Sequence, residues 1–379
     1  MKFSVLLSDI KEPINSVTSI AGSSLNKDDI TKNIYFEVKD NKLILKANNY
    51  NIEMQSCVSL QNVESEGVIT VNANKIKDTL SNLDPSSLVD FYFNENKNTL
   101  EIKTSKVSYE LRTQSAVNFP TFDRDCVVQT IKLKQKQLKS IIDSSLFCVI
   151  TEDFRDYLKG IRFEFNGKNL DIYTSDGHRL TMLRTSVEQE QTVASGIFGA
   201  IIPKQGAAQL ASIIKEDSEA EVELTFSKNN VFTSCNGYVL ASKLINCSYP
   251  DIRKAIPDNI QTEYLLPKAE LTNLIRQVSV LASKRVNGVT FNFSNGRLDL
   301  RAENSEHELS CATLEDPGIS DVTEIALNGS YVVDVLKIIK SEKVRLCFTN
   351  PASSVLIKPE TDELEEGITG AFVISRVVV

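Results

Sequence analysis

Residues 41–58 read NKLILKANNYNIEMQSCV. Apolar side chains alternate through Leu43, Leu45 and Ala47, break at the polar run Asn48–Asn51, and resume at Ile52 and Met54. A period of two on either side of a polar turn is the signature of a β-hairpin. The pattern returns as KNLDIYTSDGHRLTMLRTSV at 168–187 and as GRLDLRAENSEHELSCATL at 296–314. Leu43, Leu170 and Leu298 hold equivalent places, 127 and 128 residues apart. The chain is therefore read as three copies of one unit.

The flanking blocks repeat as well. ITVNANKIKDTLSNL (69–83), AIIPKQGAAQLASIIK (200–215) and IALNGSYVVDVLKIIK (325–340) each give a short strand and then apolar residues at helical spacing. In the third, Val332, Val333, Val335, Leu336 and Ile339 form the stripe. Asn72 and Asn328 precede their helices as expected N-caps. Each unit opens on a strand and an amphipathic helix (residues 1–21, 129–149, 262–283), and more strands close it. NFPTFD (118–123) and SYPDIR (248–253) read as equivalent linkers, with Pro120 and Pro250 130 residues apart. The expected fold is α+β: three domains over 1–124, 125–252 and 253–379, each with two helices and about eight strands. A repeat this long is no solenoid. Side-by-side domains form an arc, and a symmetric partner closes an arc into a ring.

Composition narrows the chemistry. Seven cysteines, none in a CxxC pair, and two histidines, His178 and His307, argue against a disulfide framework, a zinc site or any other metal site. No cofactor is implied. No apolar run is long enough to span a bilayer and the N-terminus lacks a secretory pattern, so a cytoplasmic protein without a membrane partner is expected. The net charge is −8. The six expected helices (8–21, 72–83, 132–148, 203–215, 268–285, 328–340) carry 15 basic and 6 acidic residues, which leaves −17 for the rest. A basic helical layer on an acidic scaffold suits nonspecific contact with phosphates. The plainer alternative is lysines on solvated helix faces.

Several motifs carry a family resemblance. TSDGHRLTML (174–183), YPDIRKAIP (249–257), FRDYLKGIRFEF (154–165) and NGSYVVDVLKIIKSEKVRL (328–346) are similar to segments of the bacterial sliding clamp, the β subunit of DNA polymerase III. The resemblance covers the whole chain. It implies a head-to-tail homodimer, a six-domain ring with helices around double-stranded DNA, no enzymatic activity, and sequence-independent encirclement. The implied partners are the replicative polymerase α subunit, the clamp loader and repair polymerases, which insert short linear motifs into a groove. Carried across, that groove uses Leu158, Ser175, Gly177, His178, Arg179 and Leu180, then Pro250, Lys254 and Ala255, then Ala352, Ser354 and Val373. An apolar slot with a few polar groups suits a peptide. The alternatives are a turn-ordering role for His178 and an inter-domain ion pair for Arg179.

For DNA the resemblance points to Lys75 and Tyr157, with Lys136, Lys139, Lys204 and Arg276 in the basic lining. For the dimer it sets Tyr109 and Leu111 against Val280 and Leu281. The sequence also departs from the family. Its tail is Ser375-Arg376-Val377-Val378-Val379 where the family has a Met-Pro-Met-Arg-Leu type ending. Asp156 replaces one of an aromatic pair, and Asn74 and the stretch AGSSLNKDDITK (21–32) lack family arginines, with Lys27 and Lys32 nearby. Two other readings compete. A hydrolase or nuclease using Asp176, His178 and Asp251 lacks convergent carboxylates, a phosphate loop or a base-held nucleophile. A protein scaffold that ignores DNA conflicts with the basic helices.

Overall fold

The element order repeats three times. The first round runs β1 (Lys2–Leu6), α1 (Leu7–Thr18), β2 (Asn33–Lys39), β3 (Lys42–Asn48), β4 (Ile52–Ser59), β5 (Asn62–Ser65), β6 (Gly67–Asn72), α2 (Ala73–Ser81), β7 (Leu88–Asn94), β8 (Thr99–Lys103) and β9 (Ser108–Gln114). The second is β10 (Gln129–Lys134), α3 (Gln135–Leu146), β11 (Gly160–Phe165), β12 (Asn169–Ser175), β13 (Arg179–Ser186), β14 (Phe198–Pro203), α4 (Lys204–Ile213), β15 (Glu221–Phe226), β16 (Asn230–Cys235) and β17 (Tyr238–Lys243). The third is β18 (Thr262–Pro267), α5 (Lys268–Val278), β19 (Gly288–Ser294), β20 (Arg297–Glu303), β21 (Leu309–Glu315), β22 (Thr323–Asn328), α6 (Gly329–Ile338), β23 (Lys343–Phe348), β24 (Val355–Pro359), β25 (Glu363–Glu365) and β26 (Ile368–Ile374). This computed structural model describes residues 1–22, 29–124, 126–187, 197–316, 318–319 and 322–378; Lys27 and Val379 lie outside them.

All three hairpins form: Leu43 pairs with Val58, Leu170 with Thr185 and Leu298 with Leu314. Both asparagine caps form too, Asn72 accepting from the Lys75 N–H at 3.1 Å and Asn328 from the Tyr331 N–H at 3.2 Å. The apolar stripe of α6 is buried. Each satisfied cap removes one of the unpaired donors at a helix start.

One expectation fails. The third helix begins at Gln135, not 132. Ile131 and Leu133 are buried while Lys132 and Lys134 point outward, so this stretch keeps strand periodicity. The fifth helix ends at Val278, which leaves Lys284 and Arg285 beyond it. The six observed helices hold nine basic and six acidic residues, a balance of +3 rather than +9. The charge asymmetry survives in sign but is much weaker.

By contacts the chain divides into two units. In the first (Met1–Thr130, Ser212–Ile214, Val222–Leu244), strands follow the order β15-β16-β17-β4-β3-β2-β6-β9-β8-β7-β1-β5. Helix α1 packs on α2, β3 and β4, and the Phe3 and Phe91 rings stack at 4.8 Å in the core. Among the described residues, strand β9 meets β6 only through Thr113 and Gln114, so its Ser108–Arg112 run pairs on one side only. The second unit (Ile131–Ala211, Lys215–Glu221, Ile245–Val379) holds a sheet ordered β14-β11-β12-β13-β26-β24-β23-β18, with β25 on β26. A four-stranded sheet, β21-β20-β19-β22, leaves one edge of β21 open among the described residues.

Candidate functional site

The register of the second unit builds an apolar row. Ser175 faces Leu180, Leu180 faces Val373, Val373 faces Leu356, and Leu356 faces Cys347. Residues directly opposite share a sheet face. This row lies on the face turned away from α3, since the alternate residues Thr174 and Thr181 reach Ser145 and Cys148 on the other side. Leu180, Cys347, Leu356, Ala371 and Val373 form one buried cluster, with Met182, Ile252 and Ile256 packed against it. Ile252 and Ile256 come from the linker, whose 3-10 turn over Ile252–Ala255 lays them on the strands. The result is a buried apolar floor with the linker packed along it.

The 175–180 turn closes one end. The Asp176 carboxylate accepts from the N–H groups of His178 and Arg179, both at 2.9 Å, and Ser175 Oγ accepts from the Gly177 N–H at 3.0 Å. Gly177 has φ +91°, and a Cβ there would come within 2.9 Å of the Arg155 guanidinium. The left-handed backbone favours glycine here, and a Cβ would also have to displace the end of Arg155. Arg155 is itself held by Asp153 through Nε at 2.9 Å and Nη2 at 3.0 Å. That pairing, with the Arg155 side chain first among the causes, pulls the Asp153 carboxyl down to about 2.

Arg179 faces inward. Nε donates to Asp176 at 2.8 Å, Nη1 to Asp334 on α6 at 2.9 Å and Nη2 to the Phe147 carbonyl at 2.9 Å. Its guanidinium also stacks on Tyr331, 4.3 Å from the ring centroid. Its side chain is 10% exposed. Arg179 is therefore a strut between the turn and α6, not an open groove wall, and the ion-pair alternative describes it. Burial pushes Asp334 up, but hydrogen bonds from Lys337 and Arg179 outweigh it and hold the carboxyl below its usual range. Behind the turn, burial raises the Cys148 thiol to about 12, so the thiol is chemically quiet.

The other expected groove residues divide. Leu158, Leu180 and Val373 are buried; Ser175 and Ser354 are half-buried; Gly177, His178, Pro250, Lys254, Ala255 and Ala352 are exposed. The tail starts beside His178 and then runs to β22. The Ser375 N–H donates to the His178 carbonyl at 2.8 Å, and the Val377 N–H donates to Ala326 on β22 at 2.9 Å. Met182, Ile252, Ile256, Leu356, Cys347, Arg155 and Tyr331 also build the site and were not anticipated. Leu356 and Cys347 could have been found by carrying the pairing register outward from Leu180. Two isolated isoleucines in a linker give no periodic signal.

Among the expected DNA residues, Lys75 is exposed on α2. Arg276 lies with Lys337 in a cleft between α5 and α6. Lys136 is engaged by Glu219 and Glu366, and Lys139 by Asp143 at 3.2 Å. Lys204 departs from the expectation, because its ammonium turns onto the Val149 carbonyl at 2.6 Å. Tyr157 is half-buried, its ring edge-on to Tyr249 at 5.8 Å. Tyr109 and Leu111 are half-buried on the one-sided run of β9, while Val280 is 78% exposed beside the half-buried Leu281.

Three models of the DNA polymerase III beta subunit match in series: the N-terminal domain over residues 1–123, the central domain over 132–251 and the C-terminal domain over 253–368. The chain belongs to the DNA polymerase III beta subunit family. The beta sliding clamp of Haemophilus influenzae is 26% identical over 359 residues, 94% of this chain and 96% of that one. That of Proteus mirabilis is 27% identical over 358 residues, with the same coverage. A ligand-bound DNA polymerase sliding clamp from Pseudomonas aeruginosa superposes with TM-score 0.91 at 25% identity, covering both chains fully. A clamp from the same organism bound to griselimycin gives TM-score 0.92 at 24% identity, again over the full length of both. The fold expected from the repeats is that of the family. Among the described residues no helix is long and apolar enough to cross a membrane.

Proposed function

We propose that this chain is a DNA sliding clamp that tethers partner proteins through the Leu180–Val373–Leu356 slot and performs no chemistry of its own. The observation that carries this reading is the slot itself. It is an apolar floor with one linker wall and a polar turn at its end, in a chain that matches the clamp family throughout. Its domains are taken as 1–124, 125–252 and 253–379. Partners would be the replicative polymerase, the clamp loader and repair polymerases, each inserting a short extended peptide. A Helicobacter pylori clamp of the same fold was solved with a DNA ligase peptide, at 20% identity, TM-score 0.89 and 100% coverage of both chains.

Two copies would join head to tail, the one-sided Ser108–Arg112 run of β9 pairing with the open edge of β21 and Tyr109 and Leu111 meeting Val280 and Leu281. Two unpaired edges that satisfy each other remove an aggregation hazard. Duplex DNA would be held by encirclement, with Lys75 and Arg276 as exposed cations and Lys136 and Lys139 sharing their charge with neighbouring carboxylates. Weak contacts of this kind let a ring slide. The site of action is the cytoplasm.

The test is griselimycin binding, measured calorimetrically on the intact protein. Binding at micromolar concentration or tighter, lost in Leu180→Glu, is expected; binding unchanged by that substitution would remove the slot from the site. Light scattering should give twice the 42.2 kDa chain mass. A ring loaded on nicked circular DNA should be released on linearisation.

A further inference from the structure

The apolar floor is already covered. Leu180, Cys347, Leu356, Ala371 and Val373 are each at most 6% exposed, with Ile252 and Ile256 of the linker packed against them. A peptide can bind this floor only after part of its cover has moved. The linker segment 249–256 is the part built to do so.

Both flanks of the segment are fixed. Before it, the Ile245 N–H donates to the Ile201 carbonyl on β14 at 2.9 Å; after it, Thr349 Oγ1 donates to the Asp258 carbonyl at 2.8 Å. Between these points, among the described residues, the main-chain bonds of the segment are local. The Ile252 N–H donates to the Pro250 carbonyl at 2.9 Å and the Ile256 N–H to that of Arg253 at 3.1 Å. What reaches the sheet is side chains. Arg253 Nη1 donates to Glu164 on β11 at 3.3 Å, from a side chain that is 52% exposed and also bonded to Asp251 through Nε at 2.7 Å. So exposed a pair holds weakly. The Tyr249 ring lies 5.7 Å from the Arg162 guanidinium.

Seating the segment also leaves polar atoms unsatisfied. Arg162 stands opposite Tyr173, and Tyr173 opposite Met182, which packs against the floor. Arg162 Nε, Tyr173 OH and Tyr249 OH are buried and have no hydrogen-bond partner among the described residues. A buried hydroxyl without a partner is costly, and lifting the segment returns that of Tyr249 to water. Two isoleucines thus hold the segment down against a polar cost, which is how a locally weak element is made.

We propose that residues 249–256 form a strap that lifts to open the floor, and that an incoming peptide replaces Ile252 and Ile256 with its own apolar side chains. The proposal rests on the groove reading of the floor. Griselimycin binds only the lifted form, and its association rate follows the population of that form. The Tyr249 hydroxyl favours lifting, and Arg253 opposes it.

Cys347, in the floor, reports the lifted form without any ligand. The full-length protein, with the exposed Cys57, Cys126, Cys247 and Cys311 changed to serine, is treated with N-ethylmaleimide, and labelling at Cys347 is timed by mass spectrometry. The buried Cys148 is the control for wider unfolding. Griselimycin association and dissociation are timed in parallel by stopped flow. Tyr249→Phe should slow both Cys347 labelling and association about threefold, and Arg253→Gln should speed both by a similar factor, with dissociation and Cys148 labelling unchanged. Tyr173→Phe should act in the same sense as Tyr249→Phe. Cys347 rates that stay the same, or move the other way, would overturn the strap. Changed Cys347 rates with no matching change in association would overturn its role in admitting the peptide. Griselimycin binding indifferent to Leu180→Glu would remove the groove reading instead, and the Cys347 rates alone would then decide for or against the strap.

Discussion

The turns at 48–53 and 175–180 share a backbone and differ in the side chains that leave it. In the first, Asn49 Oδ1 accepts from the N–H groups of Asn51 and Ile52 at 3.1 and 2.8 Å, and Asn48 Oδ1 accepts from Tyr50 at 2.7 Å. Asp176 and Ser175 do the same work in the second. Tyr50 and Gly177 both have positive φ, +68° and +91°. Beyond the turn the two part. Ile52 goes into a core where Arg179 goes to Asp334, and Glu53 holds a linker N–H where Leu180 lays down an apolar floor. The third copy repeats the device, with Asn304 Oδ1 accepting from Glu306 and Glu308 at 2.9 and 3.0 Å. The asparagine or aspartate turn therefore belongs to the fold, and the first two copies part in the two side chains after it. The letters at 174–180 differ from ANNYNIE (47–53) and AENSEHE (302–308), but the backbone device is shared.

The largest test of this difference is Arg179→Ala. It leaves the partly buried Asp176 without its cation and Asp334 with Lys337 alone, a change that costs about 3 kcal/mol when ion pairs are well buried. Urea denaturation should show that loss in the second unit. Arg179→Met, which keeps the bulk against Tyr331, should recover part of it. Next is the exchange of the neighbouring residue. Leu180→Glu copies the first junction into the second and should weaken griselimycin binding at least 100-fold, about 2.7 kcal/mol. The reciprocal Glu53→Leu removes the acceptor of the Phe122 N–H and should cost about 1 kcal/mol of stability without creating griselimycin affinity. A Glu53→Leu protein that bound two equivalents would show that one residue converts one junction into the other.

Gly177→Ala falls below Leu180→Glu, at about 1–2 kcal/mol, from the left-handed backbone plus displacement of Arg155. Changing Tyr50 to alanine should not show this penalty, because Tyr50 already tolerates its positive φ. The last contrast is pH. Asp334 has its folded-state pKa depressed, so its contribution is fully present above the unfolded value near 4 and is lost as pH falls through the folded one. Stability of the second unit should decline below about pH 4, and the slope should shrink in Arg179→Met. An unchanged slope would mean that Lys337 alone sustains the shift.

The repeats made the fold legible, because hairpin and helix periodicities that recur three times are hard to produce by chance. The start of α3 was not legible, since Lys132 and Lys134 flank Leu133 in a pattern compatible with either period, and only strand pairing decides. Leu180 and Val373 could be named only through the family resemblance. The partner of Arg179 could not, because Asp334 lies 155 residues away on a helix whose apolar stripe says nothing about its polar face. Ile252 and Ile256 were hidden for the opposite reason: a linker has no periodicity against which two apolar residues stand out.

The one-sided run of β9 spans only five residues, Ser108–Arg112. Any joint built on it is a short zipper, and a zipper parts from one end by breaking its main-chain links in sequence rather than all at once. Prising such a joint needs a modest, localised force, while the folded units on either side stay intact. Strand length would then act as a mechanical fuse, fixing where a closed assembly yields.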